Sequence, residues 1–99
     1  MDIVIHDGSE VAGSAHIVLS DDLTAKIESF TVFPEYRGKK VGRSLMEKIE
    51  SYLKEKSAKK SIIDSPKFIK GFYEKFGYVQ EGLEFMVNEV PTIKMVKHY

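Results

Sequence analysis

Over the first third of the chain, apolar and polar positions alternate. Asp2–His6 is short and rich in β-branched residues. After a turn at Asp7–Glu10, the positions Val11, Gly13, Ala15, Ile17 and Leu19 share one face of an alternating run, which predicts a strand. Ser20–Leu23 is a second turn. Thr24–Phe33 is a third alternating run, stopped by Pro34. Three strands on short turns predict an antiparallel meander. In the third, alternation puts Glu28 on the face of Phe30 and Val32, a carboxylate looking into a partly apolar cleft.

Beyond Pro34 the period lengthens. Val41, Leu45, Ile49 and Leu53 recur four apart, with Met46 and Tyr52 beside them and charges elsewhere. This predicts an amphipathic helix of about four turns, from about Lys39 to Lys56. Glu50 and Lys54 are placed as an i,i+4 pair on it. Lys59–Ser65 reads as a short strand. Ser65 and Pro66 then read as a helix cap and a first-turn proline. Phe68, Ile69, Phe72, Tyr73 and Phe76 follow at helical spacing, closed by Gly77 in a left-handed cap. Tyr78–Val87 and Pro91–His98 predict a final pair of strands. The expected class is α+β. Two helices lie on a mostly antiparallel mixed sheet in the order β-β-β-α-β-α-β-β, with one parallel strand–helix–strand unit.

Composition narrows the function classes. The 99 residues fit one domain, 1–99. Lys plus Arg (15) equals Asp plus Glu (15), so no basic excess favours nucleic acid. No cysteine is present, which removes disulfides, thiolate nucleophiles and cysteine metal sites. The three histidines, His6, His16 and His98, are far apart and lack ligand spacing, so no metal is expected. No leader pattern is evident, and no stretch approaches the roughly 18 apolar residues of a membrane helix. A cytoplasmic protein without a membrane partner is expected.

The segment Arg37-Gly38-Lys39-Lys40-Val41-Gly42 sits between a strand and a helix. Glycine permits close backbone approach. The first amides of a helix lack intrahelical acceptors and carry the positive end of its dipole. With basic side chains they suit a phosphate or pyrophosphate. Read locally, the same residues also fit a surface turn with solvated charges. The sequence is neither a P-loop nor a dinucleotide fingerprint.

The stretch VFPEYRGKKVGRSLM resembles the cofactor motif of the GNAT N-acetyltransferase superfamily, Val-x-Pro-x-x-Arg-Gly-x-Gly-[Ile/Val]-Gly. Val32, Pro34, Arg37, Gly38, Val41 and Gly42 match, and Lys40 replaces a frequent glycine. The resemblance implies that backbone amides from Arg37 through Gly38, Lys39, Lys40, Val41 and Gly42 to Arg43 wrap the pyrophosphate of acetyl-CoA. It also implies that pantetheine runs along Phe30, Thr31 and Val32. A second similar stretch is KGFYEKFGYV, where Phe72, Tyr73, Phe76, Gly77 and Tyr78 match a helix of the same superfamily. There Tyr73 stands at the position of a general acid for the leaving thiolate, with Phe72 beside it on the cofactor side. The asparagine often found seven residues earlier is Pro66 here. Glu28 is placed like the general base of amino-sugar acetyltransferases, and burial would raise its pKa. Its alternative is an exposed glutamate paired with Lys26 or with a lysine on a neighbouring strand. His16 is a weaker candidate base, and His6 and His98 are read as surface residues.

The tail is similar to the ElaA-type subgroup, and GFYEKFGYV to glucosamine-phosphate acetyltransferases. The resemblance spans nearly the whole chain, but the family's usual first strand and helices, which wall the acceptor groove, have no counterpart. That leaves an open acceptor site, one completed by a second subunit, or cofactor binding without efficient transfer. Expected partners are acetyl-CoA as co-substrate and a small-molecule or peptide amine. A homodimer through the edge of the first strand is also open. The competing readings are a non-catalytic acyl-CoA-binding or interaction module and, more distantly, an RNA-recognition strand over Lys70–Val79. The latter has interrupted spacing at Tyr73-Glu74-Lys75.

Overall fold

Seven strands and two helices make up the chain in a computed structural model that describes residues 1–99. They are β1 (Asp2–Asp7), β2 (Glu10–Leu19), β3 (Thr24–Val32), α1 (Val41–Glu55), β4 (Lys60–Pro66), α2 (Lys70–Glu74), β5 (Val79–Gln80), β6 (Phe85–Val87) and β7 (Val90–His98). The sheet order is β1-β2-β3-β4-β7, with β5 and β6 both on the outer edge of β7. Only β3–β4 is parallel. The α+β class and the meander are as the sequence predicts.

The α1 stripe buries Leu45, Met46, Ile49 and Leu53 against Ala15, Ile17, Ala25, Ile27 and Ile63 of the sheet. A Cβ on Gly13 would lie 3.0 Å from the Thr31 carbonyl and 3.1 Å from Val41 Cγ1. Only glycine lets β2 pass so close under the start of α1. The helix ends when Ser57 turns left-handed, with Ala58 N–H bonding to Leu53 O (2.9 Å) and Ser57 N–H to Lys54 O (3.1 Å).

Several local expectations are corrected. A bulge leaves Ala12 without a β1 partner between Gly13 and Val11, so Val11 turns outward and Ala12 is buried. A second bulge falls at Glu28, between the pairs His16–Ser29 and Ile17–Ile27. Glu28 therefore does not share a regular face with Phe30 and Val32. Those two lie on the face of Ala25 and Ile27, while Glu28 is exposed. Ser65 is not a helix cap. β4 keeps pairing with β7 as far as Pro66, which buries Ser65 opposite Ile93. A short 3-10 turn, Lys67–Ile69, leads into an α2 of five residues. Gly77 does close it in a left-handed cap (φ +91), with Tyr78 N–H on Tyr73 O and Gly77 N–H on Glu74 O. Glu50 does not pair with Lys54. It accepts bonds from Tyr78, Tyr99 and Lys97 instead. Tyr78–Val87 is two strands, interrupted by a turn at Gly82 (φ +82).

Candidate functional site

β3 and β4 pair over only four positions, Thr24–Lys60 to Ile27–Ile63. Beyond them the strands separate. β3 continues to Val32 along β2 alone, and β4 continues to Pro66 along β7 alone. The bulge at Glu28 sits at the point of separation and turns β3 away. Phe33 N–H bonds to Ala12 O on β2 (3.0 Å). By strand alternation, the main-chain groups of Phe30 and Val32 point the other way, into the split. They form an open strand edge inside the sheet.

At the far end of β3 lies the basic turn. Pro34–Tyr36 makes one 3-10 turn, Gly38 takes φ +79, and Lys40 caps α1 in the left-handed region (φ 64). Arg37 and Lys39 amides bond to the Pro34 and Tyr36 carbonyls, and the first helical bond is Ser44 N–H to Lys40 O. The amides of Gly38, Lys40, Val41, Gly42 and Arg43 have no acceptor in the protein. The first turn of α1 carries no acidic residue and no side-chain cap. Five free donors, a helix N-terminus and the cations Arg37, Lys40 and Arg43 thus meet at one place, the makings of an anion site. A cavity of about 700 Å³ runs from this turn past Val32 and Phe30 to Phe72 and Tyr73.

An aromatic cluster closes the inner end. Phe30 packs on Phe72 and Tyr73 at 5.8 Å each, Phe72 on Tyr73 at 5.1 Å, and Tyr73 on Tyr78 at 6.1 Å. Tyr73 is only 2% exposed. Every side-chain polar atom fully shut off from solvent has a partner, so the unpartnered Tyr73 hydroxyl keeps some access to solvent, and the residue lines both cavities. Burial pushes its pKa up to about 12. The phenol is a hydrogen-bond donor across the physiological range.

The sequence profile described as the acetyltransferase (GNAT) domain matches residues 2–99. The chain belongs to the GNAT acetyltransferase family. The YyaT protein of Bacillus subtilis is 31% identical to this GNAT chain over 96 residues, 96% of this chain and 63% of YyaT. The chain thus spans less than two thirds of that curated relative. The crystal structure of Escherichia coli ElaA superposes with a TM-score of 0.90 at 26% identity, over 98% of this chain and 67% of ElaA. PaiA N-acetyltransferase of Thermoplasma acidophilum, crystallised in complex with coenzyme A, shares the fold. Its TM-score is 0.81 at 20% identity, over 100% of this chain and 60% of PaiA.

The GNAT fold brings most of the sequence-predicted residues to one cleft. Phe30, Val32, Arg37, Gly38, Lys40 and Val41 line the large cavity with Gly42, Arg43, Phe72 and Tyr73. Thr31 and Lys39 do not. Thr31 pairs with Ser14 and is exposed, and Lys39 lies over the Tyr36 ring. Glu28 lines a second cavity of about 300 Å³ that meets the first at Phe30, Ile69 and Tyr73. It is not buried and does not pair with Lys26, whose ammonium bonds to Asp64 (2.9 Å). His16 is bound to Asp2 (2.7 Å) and lines neither cavity. The aromatics of Lys70–Phe76 sit on and after a helix, not on a strand. Sequence reasoning missed Tyr36, Phe68, Ile69, Lys26, Asp64 and Pro66 as lining residues. Lys26, Asp64 and Pro66 are placed by the strand register at the split, which the sequence pattern does not encode, whereas Tyr36, Phe68 and Ile69 line the large cavity from the two 3-10 turns.

Proposed function

We propose that the protein is an acetyl-CoA-dependent N-acetyltransferase that passes the acetyl group directly to a primary amine. One observation carries this reading. The free amides of the Gly38–Arg43 turn, the open main-chain edge of Phe30 and Val32 and the Tyr73 hydroxyl follow one another along a single cleft. The turn would take the diphosphate, with Arg37, Lys40 and Arg43 supplying charge. Phe30 and Val32 would hold the pantetheine by strand-like hydrogen bonds, and a Val32 or Phe30 amide would polarise the carbonyl. Acetyl-CoA supplies the activated thioester.

The acceptor ammonium has a pKa near 10.4 and must lose two protons overall. One leaves to solvent through Glu28 as the amine becomes nucleophilic. The other ends on the departing sulfur by way of Tyr73. A thiol has a pKa of about 8.5, well below the Tyr73 phenol. Full transfer from phenol to free thiolate is uphill by roughly 5 kcal/mol at ~1.4 kcal/mol per unit. Tyr73 therefore acts first as a hydrogen-bond donor to the developing sulfur charge. It hands a proton over only as the amine gives one up.

Calorimetric titration with CoA tests the binding part. Wild type should bind, and Gly42→Glu, which puts a carboxylate at the α1 N-terminus, should bind at least tenfold more weakly. Equal affinity for both would exclude the turn as the diphosphate site. Thiol release from acetyl-CoA in the presence of amines tests transfer. Tight CoA binding with no thiol release for any amine would leave the acyl-CoA-binding module as the reading.

A further inference from the structure

After Phe33 the chain leaves the sheet, and the main-chain bonds of Pro34–Lys40 are all local. Tyr36 N–H bonds to Phe33 O, Arg37 N–H to Pro34 O, Lys39 N–H to Tyr36 O and Ser44 N–H to Lys40 O. Glu35, Arg37, Lys39 and Lys40 form no ion pair. One hydrogen bond ties this segment to another element: Tyr36 Oη donates to Glu10 Oε2 on β2 (3.0 Å). The bulge in β2 makes that bond possible. Regular alternation from Gly13 would put Val11 on the α1 side of the strand and Glu10 on the back. Ala12 takes an extra place, so Val11 turns outward and Glu10 reaches the turn. Gly8 (φ +62) and Ser9 join β1 to β2 there, with Asp7 paired to Glu10, so the carboxylate stands on a tight hairpin end. The bond to Glu10, with smaller contributions from desolvation and Asp7, pushes the Tyr36 phenol up to about 12. The same ring lines the large cavity and carries Lys39 Nζ 5.9 Å from its centroid. Glu10 lines neither cavity.

We propose that Tyr36 and Glu10 are positioning residues for the cofactor, and that their bond holds the Gly38–Arg43 amides in the array that takes the diphosphate before the ligand arrives. The inference rests on the acetyl-CoA reading and adds to it a β2 residue outside the cleft. A carboxylate beside an anion site works against the anion, so what Glu10 contributes there is geometry. Without the bond the turn is tethered only at its two ends, and the ligand has to order it on binding.

The test is calorimetric titration with CoA of wild type, Tyr36→Phe, Glu10→Ala, Glu10→Gln and the double variant Tyr36→Phe with Glu10→Ala. Glu10 is exposed and Phe keeps the ring, so the fold survives each change. Tyr36→Phe should bind CoA about tenfold more weakly, equivalent to about 1.4 kcal/mol, the order of fixing one backbone residue. Glu10→Ala should weaken it somewhat less, because a negative charge leaves with the anchor. Glu10→Gln, which keeps an acceptor for the hydroxyl without the charge, should restore what Glu10→Ala loses. The double variant should bind no more weakly than Tyr36→Phe alone, since both residues act through one bond. Unchanged affinity in Tyr36→Phe overturns the proposal even if its urea midpoint falls, because the bond is then structural only. An equal loss from Tyr36→Phe with and without Glu10 overturns it too, because the hydroxyl then acts on the ligand directly. A Gln variant as weak as the Ala variant has the same force. Wild type that binds CoA, with Gly42→Glu impaired and Tyr36→Phe not, sinks this inference alone. Wild type that does not bind CoA sinks the acetyl-CoA reading and this inference with it.

Discussion

Lys40 holds a left-handed backbone (φ 64, ψ 20) at the cap of α1, a conformation that costs a non-glycine residue about 1–2 kcal/mol. Lys40→Gly should remove that cost, less the extra entropy glycine loses on folding. The net expectation is about 0.5 kcal/mol more stable, read as a rise of roughly 2–4 °C in Tm. The same variant should weaken CoA binding at low salt, because one cation leaves the turn. Tyr73 gives a second prediction. Tyr73→Phe should lower kcat on the order of a hundredfold with CoA affinity unchanged. Its phenol is held at about 12 against an ordinary 10. The folded state therefore resists losing this proton. The stability this brings is intact below pH 10 and lost between pH 10 and about 12. Urea midpoints across that window should fall less steeply in Tyr73→Phe than in wild type. Some loss should remain, because burial also raises Tyr78 and Tyr99.

Two glycines separate close approach from plain flexibility among the elements. Gly13→Ala forces β2 and α1 apart and should cost about 1–3 kcal/mol, with weaker CoA binding because the α1 N-terminus moves. Gly71→Ala sits in α2 with nothing within 4 Å of the new methyl, and should stabilise by about 0.5–1 kcal/mol. Denaturant midpoints of the two variants check the opposite signs. The elements themselves were largely legible. The four-residue recurrence of Leu45, Ile49 and Leu53 sets α1, the alternation of Ala15 and Ile17 sets β2, and Gly77 ends α2. What was not legible depends on neighbours. Ala12 and Glu28 bulge because partner strands skip them; Gly13 borders the first bulge, but its own requirement for glycine comes from the close approach of Thr31 and Val41, and no glycine borders the second. Ser65-Pro66 carries a strong local capping signal, overridden by the β7 ladder that continues past it. The turn amides could be placed from the sequence. Asp64 and Lys26 could not, since only the β3–β4 register puts them at the cavity.

The whole molecule is two sheet portions, β1-β2-β3 and β4-β7 with β5 and β6. They are joined by four parallel residue pairs and by α1. Glu50 ties α1 to the second portion through Tyr78 Oη (3.3 Å), Tyr99 Oη (2.8 Å) and Lys97 Nζ (3.4 Å), and Ser61 Oγ completes the cluster on Tyr78 at 2.7 Å. Glu50→Ala leaves a nearly buried tyrosine hydroxyl with one partner fewer and should cost about 2 kcal/mol in a urea melt. A ligand that bridges the split should act in the opposite sense. CoA at a hundred times its Kd should add about 2.7 kcal/mol to unfolding. The internal strand edge at Phe30 and Val32 has a kinetic consequence too. Strand amides normally exchange their protons for deuterium slowly, yet these two lie mid-sheet without acceptors. In ligand-free protein they should label within the earliest time points, beside protected neighbours at Thr31 and Phe33, and with CoA added they should slow to match them. The sheet thus carries its own occupancy gauge, readable with no acceptor and no turnover.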